Sequence, residues 1–208
     1  FALVELPIDL EGAYEFRSDV TLDAQYFPVG RISLPVSGGK LVGFNIGKRT
    51  LAIHHGETSV VIEPSPFTGG KRQSILARVE PDGANVRLRL WVDGRSVFDQ
   101  SVKPATKYPA EEWGTFKPNR ISLGGHGPGP EKIIFHSVEV RPIENSTADE
   151  LGKTADWVSL PMNEQQTAEA AANDGWTKPF RWYPPGAGQF TDGAVRLNYR
   201  WTEGAQMW

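Results

Sequence analysis

Cysteine is absent from the 208 residues. That excludes disulfide frameworks, thiolate metal sites and cysteine nucleophiles together, while leaving the compartment open. No apolar run approaches the roughly 20 residues that cross a bilayer as a helix. No sign of charge dominates either, since 22 Lys and Arg stand against 25 Asp and Glu for a net charge of −3. The basic residues are dispersed apart from short pairs such as Lys71-Arg72, so the electrostatic footprint of a nucleic-acid binder is missing. Helical periodicity is scarce. The one helix-like stretch is "MNEQQTAEAAAND", residues 162–174, rich in good helix formers but without a consistent apolar stripe. There is no Gly-x-Ser-x-Gly elbow and no Walker-type or Rossmann-type glycine loop. The Gly-rich "GGHGPGP" contains prolines, which lack the N–H donors a phosphate cradle requires.

What is present is alternation. In "AYEFRSDVTL", Tyr14, Phe16, Val20 and Leu22 share one side, and Glu15, Arg17, Asp19 and Thr21 share the other, as in a half-buried strand. "RISLPV" repeats the pattern with Ile32, Leu34 and Val36. "KLVGFNIG", "TLAIHHGE" and "SVVIE" follow, separated by glycine and charged breaks. In "SILARVEPDGANVRLRLWVDGRSVFDQS", Pro81-Asp82-Gly83 and Asp93-Gly94 provide turn chemistry, because Gly reaches positive φ at no steric cost and Asp tolerates it. Three strands joined by two such turns make an antiparallel meander, and "RISLGG" and "IIFHSVEVRPI" close the region. About ten short strands without a persuasive helix predict an all-β sandwich or barrel.

Composition shifts near residue 144, where "ENSTADELGKTAD" is polar and aperiodic, as expected of a linker. The expected division is a sandwich over 1–143, a linker over 144–156 and a Trp-rich extension over 157–208. Five of the seven tryptophans lie in that extension. Its "DWVSLP" echoes the opening "ALVELP", so the tail either completes the sandwich or opens a second β domain, with the appended module slightly favoured. The Asn145-Ser146-Thr147 sequon matters only in a eukaryotic setting. The start at Phe1 reads as a processed form or an excised piece.

The run from "ILARVEPDGANVRLRLWVDGRSVFDQ" to "RISLGGHGPGPEKIIFHSVEVRPI" resembles the closing half of concanavalin A-like, laminin G-like jelly-roll domains. The opening "LVELPIDLEGAYEFRSDVTL" resembles sandwich repeats common in large planctomycete proteins. Residues 1–143 are also similar to the three-keto-disaccharide hydrolase domain family. The resemblance implies two stacked antiparallel sheets, one concave, with glycans on the concave face or its rim. It also implies a calcium ion at the rim of some such domains, and Asp82, Asp93 and Asp99 are available in the meander. Asp in an Asp-Gly turn, however, is more often there for the turn.

Glycanases of this fold typically carry Glu-x-Asp-x-x-Glu, which puts acids on one strand face. Glu111 and Glu112 are adjacent, so on a strand they face opposite ways. His54 and His55 are adjacent too, and a strand would part them. His54 or His126 with a carboxylate can be drawn as an acid–base pair or a metal site; the plainer reading makes His126 a loop residue and His136 a packed strand residue.

Aromatic side chains remain, and sugars stack their C–H faces on Trp and Tyr rings while neighbouring polar groups read the hydroxyls. With Asp93-Gly94 as a two-residue loop, Trp91 falls opposite Ser96, and Phe98 lies one diagonal step away beside Arg89. That gathers Trp91, Phe98, Arg87 and Arg89 on one surface. It is either a stacking platform flanked by donors, or a tryptophan capped by arginine and covered by the tail. Trp176, Trp182 and Tyr183 in "WTKPFRWYPPG", Trp113 in "EEWGTF" and the rim residue His126 join the candidates. The expectation is a non-catalytic carbohydrate-binding or adhesion module of a larger secreted or surface protein. It is extracellular, periplasmic or cell-surface, requires no cofactor, and has a polysaccharide or glycan as partner. The alternatives are a hydrolase of 3-keto-glycosides and a structural domain docking on other domains or subunits through exposed aromatics.

Overall fold

The computed structural model of the protein describes residues 2–23, 28–105, 119–125, 132–143, 156–159, 181–183, 188–191 and 194–198. Within them the chain forms strands β1 (Ala2–Asp9), β2 (Tyr14–Asp23), β3 (Pro28–Val36), β4 (Lys40–Gly47) and β5 (Leu51–His55). These are followed by β6 (Thr58–Ile62), β7 (Arg72–Asp82), β8 (Asn85–Val92), β9 (Arg95–Val102) and β10 (Arg120–Gly125). Last come β11 (Lys132–Pro142), β12 (Val158–Ser159), β13 (Arg181–Tyr183), β14 (Gly188–Thr191) and β15 (Ala194–Asn198).

They pair into two sheets, ordered β13-β1-β10-β3-β4-β5-β6 and β14-β15-β11-β2-β7-β8-β9, with β12 attached to β11. Every strand pairing is antiparallel. The architecture is a two-sheet antiparallel sandwich, one of the two all-β forms that the alternation predicts. The described strands beyond residue 156 join both sheets: β13 pairs with β1, β15 and β12 with β11, and β14 with β15. The helix-like stretch 162–174 lies outside the described residues.

One core fills the space between the sheets. Tyr14, Phe16, Val20, Leu22, Ile75, Ala77, Leu88 and Leu90 bury their side chains from one sheet, and Ile32, Leu34, Phe44, Ile46 and Ile53 from the other. Because side chains alternate across a strand, burying these rows commits the alternate residues to the outer faces. Tyr14 bridges the sheets, its hydroxyl donating to the Pro35 carbonyl at 2.8 Å in a buried position. At Gly30 the sheets come so close that an added Cβ would clash with the Ile133 Cδ1.

The meander forms with two adjustments. β8 and β9 meet through the two-residue turn Asp93-Gly94, with φ of 48° and 75°, the double positive φ of a type I′ hairpin. β7 and β8, however, pair as far as Asp82 and Asn85. The turn is therefore Gly83-Ala84, two residues beyond Pro81, and Gly83 holds its positive φ of 61°. Between Leu90 and Trp91 the β8–β9 register shifts, with Val97 as the extra residue. A bulge of this kind reverses which face later residues occupy. Phe98 consequently pairs with Leu90 and joins the core at 6% exposure. A second bulge in β11, between Phe135 and Ser137, turns Val138 and Val140 inward.

Candidate functional site

Two outer faces carry the polar chemistry. On the seven-stranded sheet, strand pairing aligns Ser122, Ser33, Gly43, His54 and Ser59 in one row across β10, β3, β4, β5 and β6. The next row is Gly124, Arg31, Asn45, Ala52 and Val61. The middle of this surface is made of small residues. Ser33, Gly43 and Gly124 are buried although they face away from the core. Arg31, Asn45 and His54 stand around this floor, Arg31 directly opposite Asn45 and His54 on the diagonal from it.

Two atoms of the trio are buried and meet no protein hydrogen-bond partner: Asn45 Oδ1 and His54 Nε2. A buried polar atom left in that state costs about 1–3 kcal/mol. Desolvation, then the positive charge of Arg31, then His55, holds the His54 pKa below its ordinary value. His54 is thus a neutral imidazole at neutral pH. The face offers an amide, a neutral imidazole and a guanidinium, which together accept from and donate to hydroxyl groups.

Acid–base chemistry with His54 requires a carboxylate within hydrogen-bond reach. Glu5 shares its row, but four strands away through Ser122, Ser33 and Gly43, about 19 Å at ordinary strand spacing. His55 lies on the opposite side of the strand and contacts Thr58, whose hydroxyl donates to the His55 carbonyl at 3.3 Å. His136 sits at the β11 bulge, 2.9 Å from the Thr21 hydroxyl. Among the described residues, no three of His, Cys, Asp and Glu group as metal ligands.

The outer face of the eight-stranded sheet holds the surface expected around Trp91. Trp91 is half-buried, paired with Leu76 on β7 and Ser96 on β9. Arg89 shares this face, reaching Glu80 at 3.3 Å and Asp99 at 3.4 Å, and Arg87 meets Asp99 at 2.6 Å. Phe98 does not belong here. The expected diagonal beside Arg89 is corrected by the Val97 bulge, which gives that position to Asp99. Farther along, Glu15 lies between Arg141 at 2.5 Å and Arg78 at 3.2 Å, and Arg17 meets Glu139 at 2.6 Å. Trp157 lies against Arg17 and Arg141, their guanidinium carbons 4.4 and 4.5 Å from its ring centroid.

The three aspartates considered for calcium divide by environment. Asp93 accepts from the Ser74 backbone N–H at 2.9 Å, from Gln73 at 3.0 Å and from Lys71 at 3.1 Å, and these donors hold its pKa low. Asp99 is engaged by Arg87 and Arg89, and Asp82 is exposed. Trp182 pairs with Val4 and Tyr183 with Leu3, so β13 adds an outer edge to the seven-stranded sheet. Trp113, His126, Trp176, Glu111 and Glu112 lie outside the described residues. A cleft between the β3–β4 and β7–β8 turns, lined by Ser37, Lys40, Gly83 and Asn85, encloses about 90 Å³. That is well under the roughly 300 Å³ at which ligand pockets begin.

Sequence reasoning did not single out Arg31, Asn45 or Trp157. The alternation of "RISLPV" and "KLVGFNIG" does place Arg31 and Asn45 on polar faces. Their meeting with His54 depends on the registers of two hairpins.

The protein is a two-sheet antiparallel β-sandwich. No known family profile matches the chain, and no curated protein matches it in sequence. Among solved structures it is similar to sheep galectin-11 in complex with glycerol, with 10% identity, a TM-score of 0.43, and coverage of 66% of this chain and 95% of that one. It is also similar to a human galectin-16 variant, with 11% identity, a TM-score of 0.39, and coverage of 62% and 92%. A third is the carbohydrate-binding module CBM66 from Bacillus subtilis, with 15% identity, a TM-score of 0.32, and coverage of 54% and 66%. At such identities and TM-scores the likenesses assign no function, and the sandwich rests on the strand pairing itself.

Proposed function

We propose that the protein is a non-catalytic carbohydrate-binding module of a larger secreted or surface protein. In this reading it recognises glycan hydroxyls on the outer face of the seven-stranded sheet through Arg31, Asn45 and His54. The observation that carries it is the pair of buried, unpartnered atoms, Asn45 Oδ1 and His54 Nε2, beside a floor of glycine and serine. A hydroxyl both donates and accepts, so one sugar edge satisfies an amide oxygen and an imidazole nitrogen together. An extracellular, periplasmic or cell-surface setting belongs to the same proposal.

The test is binding of the purified chain to a glycan array, beside Asn45→Ala and with thermal melts of both. Loss of a hydrogen bond in a desolvated site lowers affinity about tenfold or more. The variant's melting temperature should stay level or rise, because it removes a buried atom that folding leaves unpaired. Wild-type binding to no glycan, or undiminished binding by Asn45→Ala, overturns the proposal.

A further inference from the structure

The eight-stranded sheet presents a second arrangement on the opposite side of the sandwich. Its strand pairing lines up Glu139, Arg17, Leu76, Trp91 and Ser96 across β11, β2, β7, β8 and β9. Trp157 lies against Arg17 at one end of this row, and Trp91 stands two strands beyond Arg17 at the other. Arg17 and Trp91 are roughly 10 Å apart at ordinary strand spacing, with the half-buried Leu76 between them. The row is therefore a lane with one apolar side chain, Leu76, between Arg17 and Trp91, and with Trp157 against Arg17.

The charges around the lane cancel. Arg17, Arg72, Arg78, Arg87, Arg89 and Arg141 are each within ion-pair distance of Glu15, Asp19, Glu80, Asp99 or Glu139. Among the described ion pairs, six cations against five anions leave almost no net field to attract a polyanion. Each guanidinium carries five N–H donors, and a carboxylate partner takes up only some of them. The ion pairs limit where each arginine can reach, and the donors that its carboxylate does not take up remain for a ligand.

We propose that this lane binds an uncharged polysaccharide laid across the strands, with Trp91 and Trp157 stacking on separate sugar rings and the arginines donating to hydroxyls between them. The proposal extends the glycan-binding reading to a second face. It predicts that a polymer gains from this face what a disaccharide cannot.

The experiment is affinity electrophoresis of the whole chain in gels containing mannan, galactan, xylan or mixed-linkage β-glucan, with the matching disaccharides measured by calorimetry. Wild type is compared with Trp91→Ala, Trp157→Phe and Asn45→Ala, each checked for an unchanged melt. Trp91→Ala is expected to weaken polysaccharide binding about five- to tenfold, as loss of a stacking partner does, while disaccharide affinity holds. Trp157→Phe, which keeps a smaller ring, should fall between Trp91→Ala and wild type. Polysaccharide binding unchanged in Trp91→Ala but lost in Asn45→Ala overturns the lane and leaves the first site standing. Binding retained in Asn45→Ala but lost in Trp91→Ala reverses that result. No binding by the wild type overturns both.

Discussion

Burial of the Tyr14 hydroxyl makes the inter-sheet contact sensitive to alkali. Its environment excludes water, and desolvation holds its pKa well above the ordinary value of 10.0. The unfolded chain releases this proton near pH 10 while the folded one keeps it. The folded state then binds more protons than the unfolded state, so stability falls as pH rises further. The contribution is present in full below pH 10 and declines above it. Tyr14→Phe removes this alkaline limb and also strips the Pro35 carbonyl of its donor. At neutral pH the variant should be about 1–2 kcal/mol less stable, and urea melts across alkaline pH should converge with wild type. Curves that stay parallel to the highest pH would mean the hydroxyl is not desolvated in solution.

Turns and bulges set the meander's geometry, and they differ in how far a sequence reveals them. Asp93-Gly94 is legible because few residues accept two positive φ values in succession. Asp93 adds a carboxylate that receives Ser74 and Gln73 from the neighbouring strand β7 and Lys71 from the residue before it. Asp93→Ala removes those hydrogen bonds and leaves an alanine at a φ of 48°, so a loss of roughly 2–3 kcal/mol is expected. Asp93→Gly relieves the backbone and should cost less, and thermal melts of the pair separate the two causes. Equal losses would show that the side-chain bonds alone matter. The core rows Tyr14-Phe16-Val20-Leu22 and Val86-Leu88-Leu90-Val92 are likewise legible from alternation and fully buried. The Val97 bulge leaves no such mark. One extra residue reverses the faces without altering composition, and for that reason Phe98 reads as a surface residue and packs as a core one.

Across the whole molecule, the two candidate faces are products of topology. Arg31, Asn45 and His54 come from three successive strands, and Trp91 and Trp157 are separated by 65 residues of chain yet share one side of one sheet. Alternation tells which residues face outward. Only the strand order and registers tell which of them become neighbours, and those depend on pairings between distant segments. The assembled surface differs from what a net charge of −3 conveys, because six arginines on the outer face of the eight-stranded sheet are matched to carboxylates. Salt therefore provides a test at this scale. Raising ionic strength from about 0.05 to about 0.5 M shortens the screening length severalfold, which weakens recognition of a polyanion and leaves stacking and neutral hydrogen bonds largely intact. Affinity for a neutral polysaccharide should change less than about twofold over that range, and heparin or alginate should not be retained at either end. A steep fall with salt would mean that unmatched cations dominate the contact and that the physiological ligand is an acidic polymer.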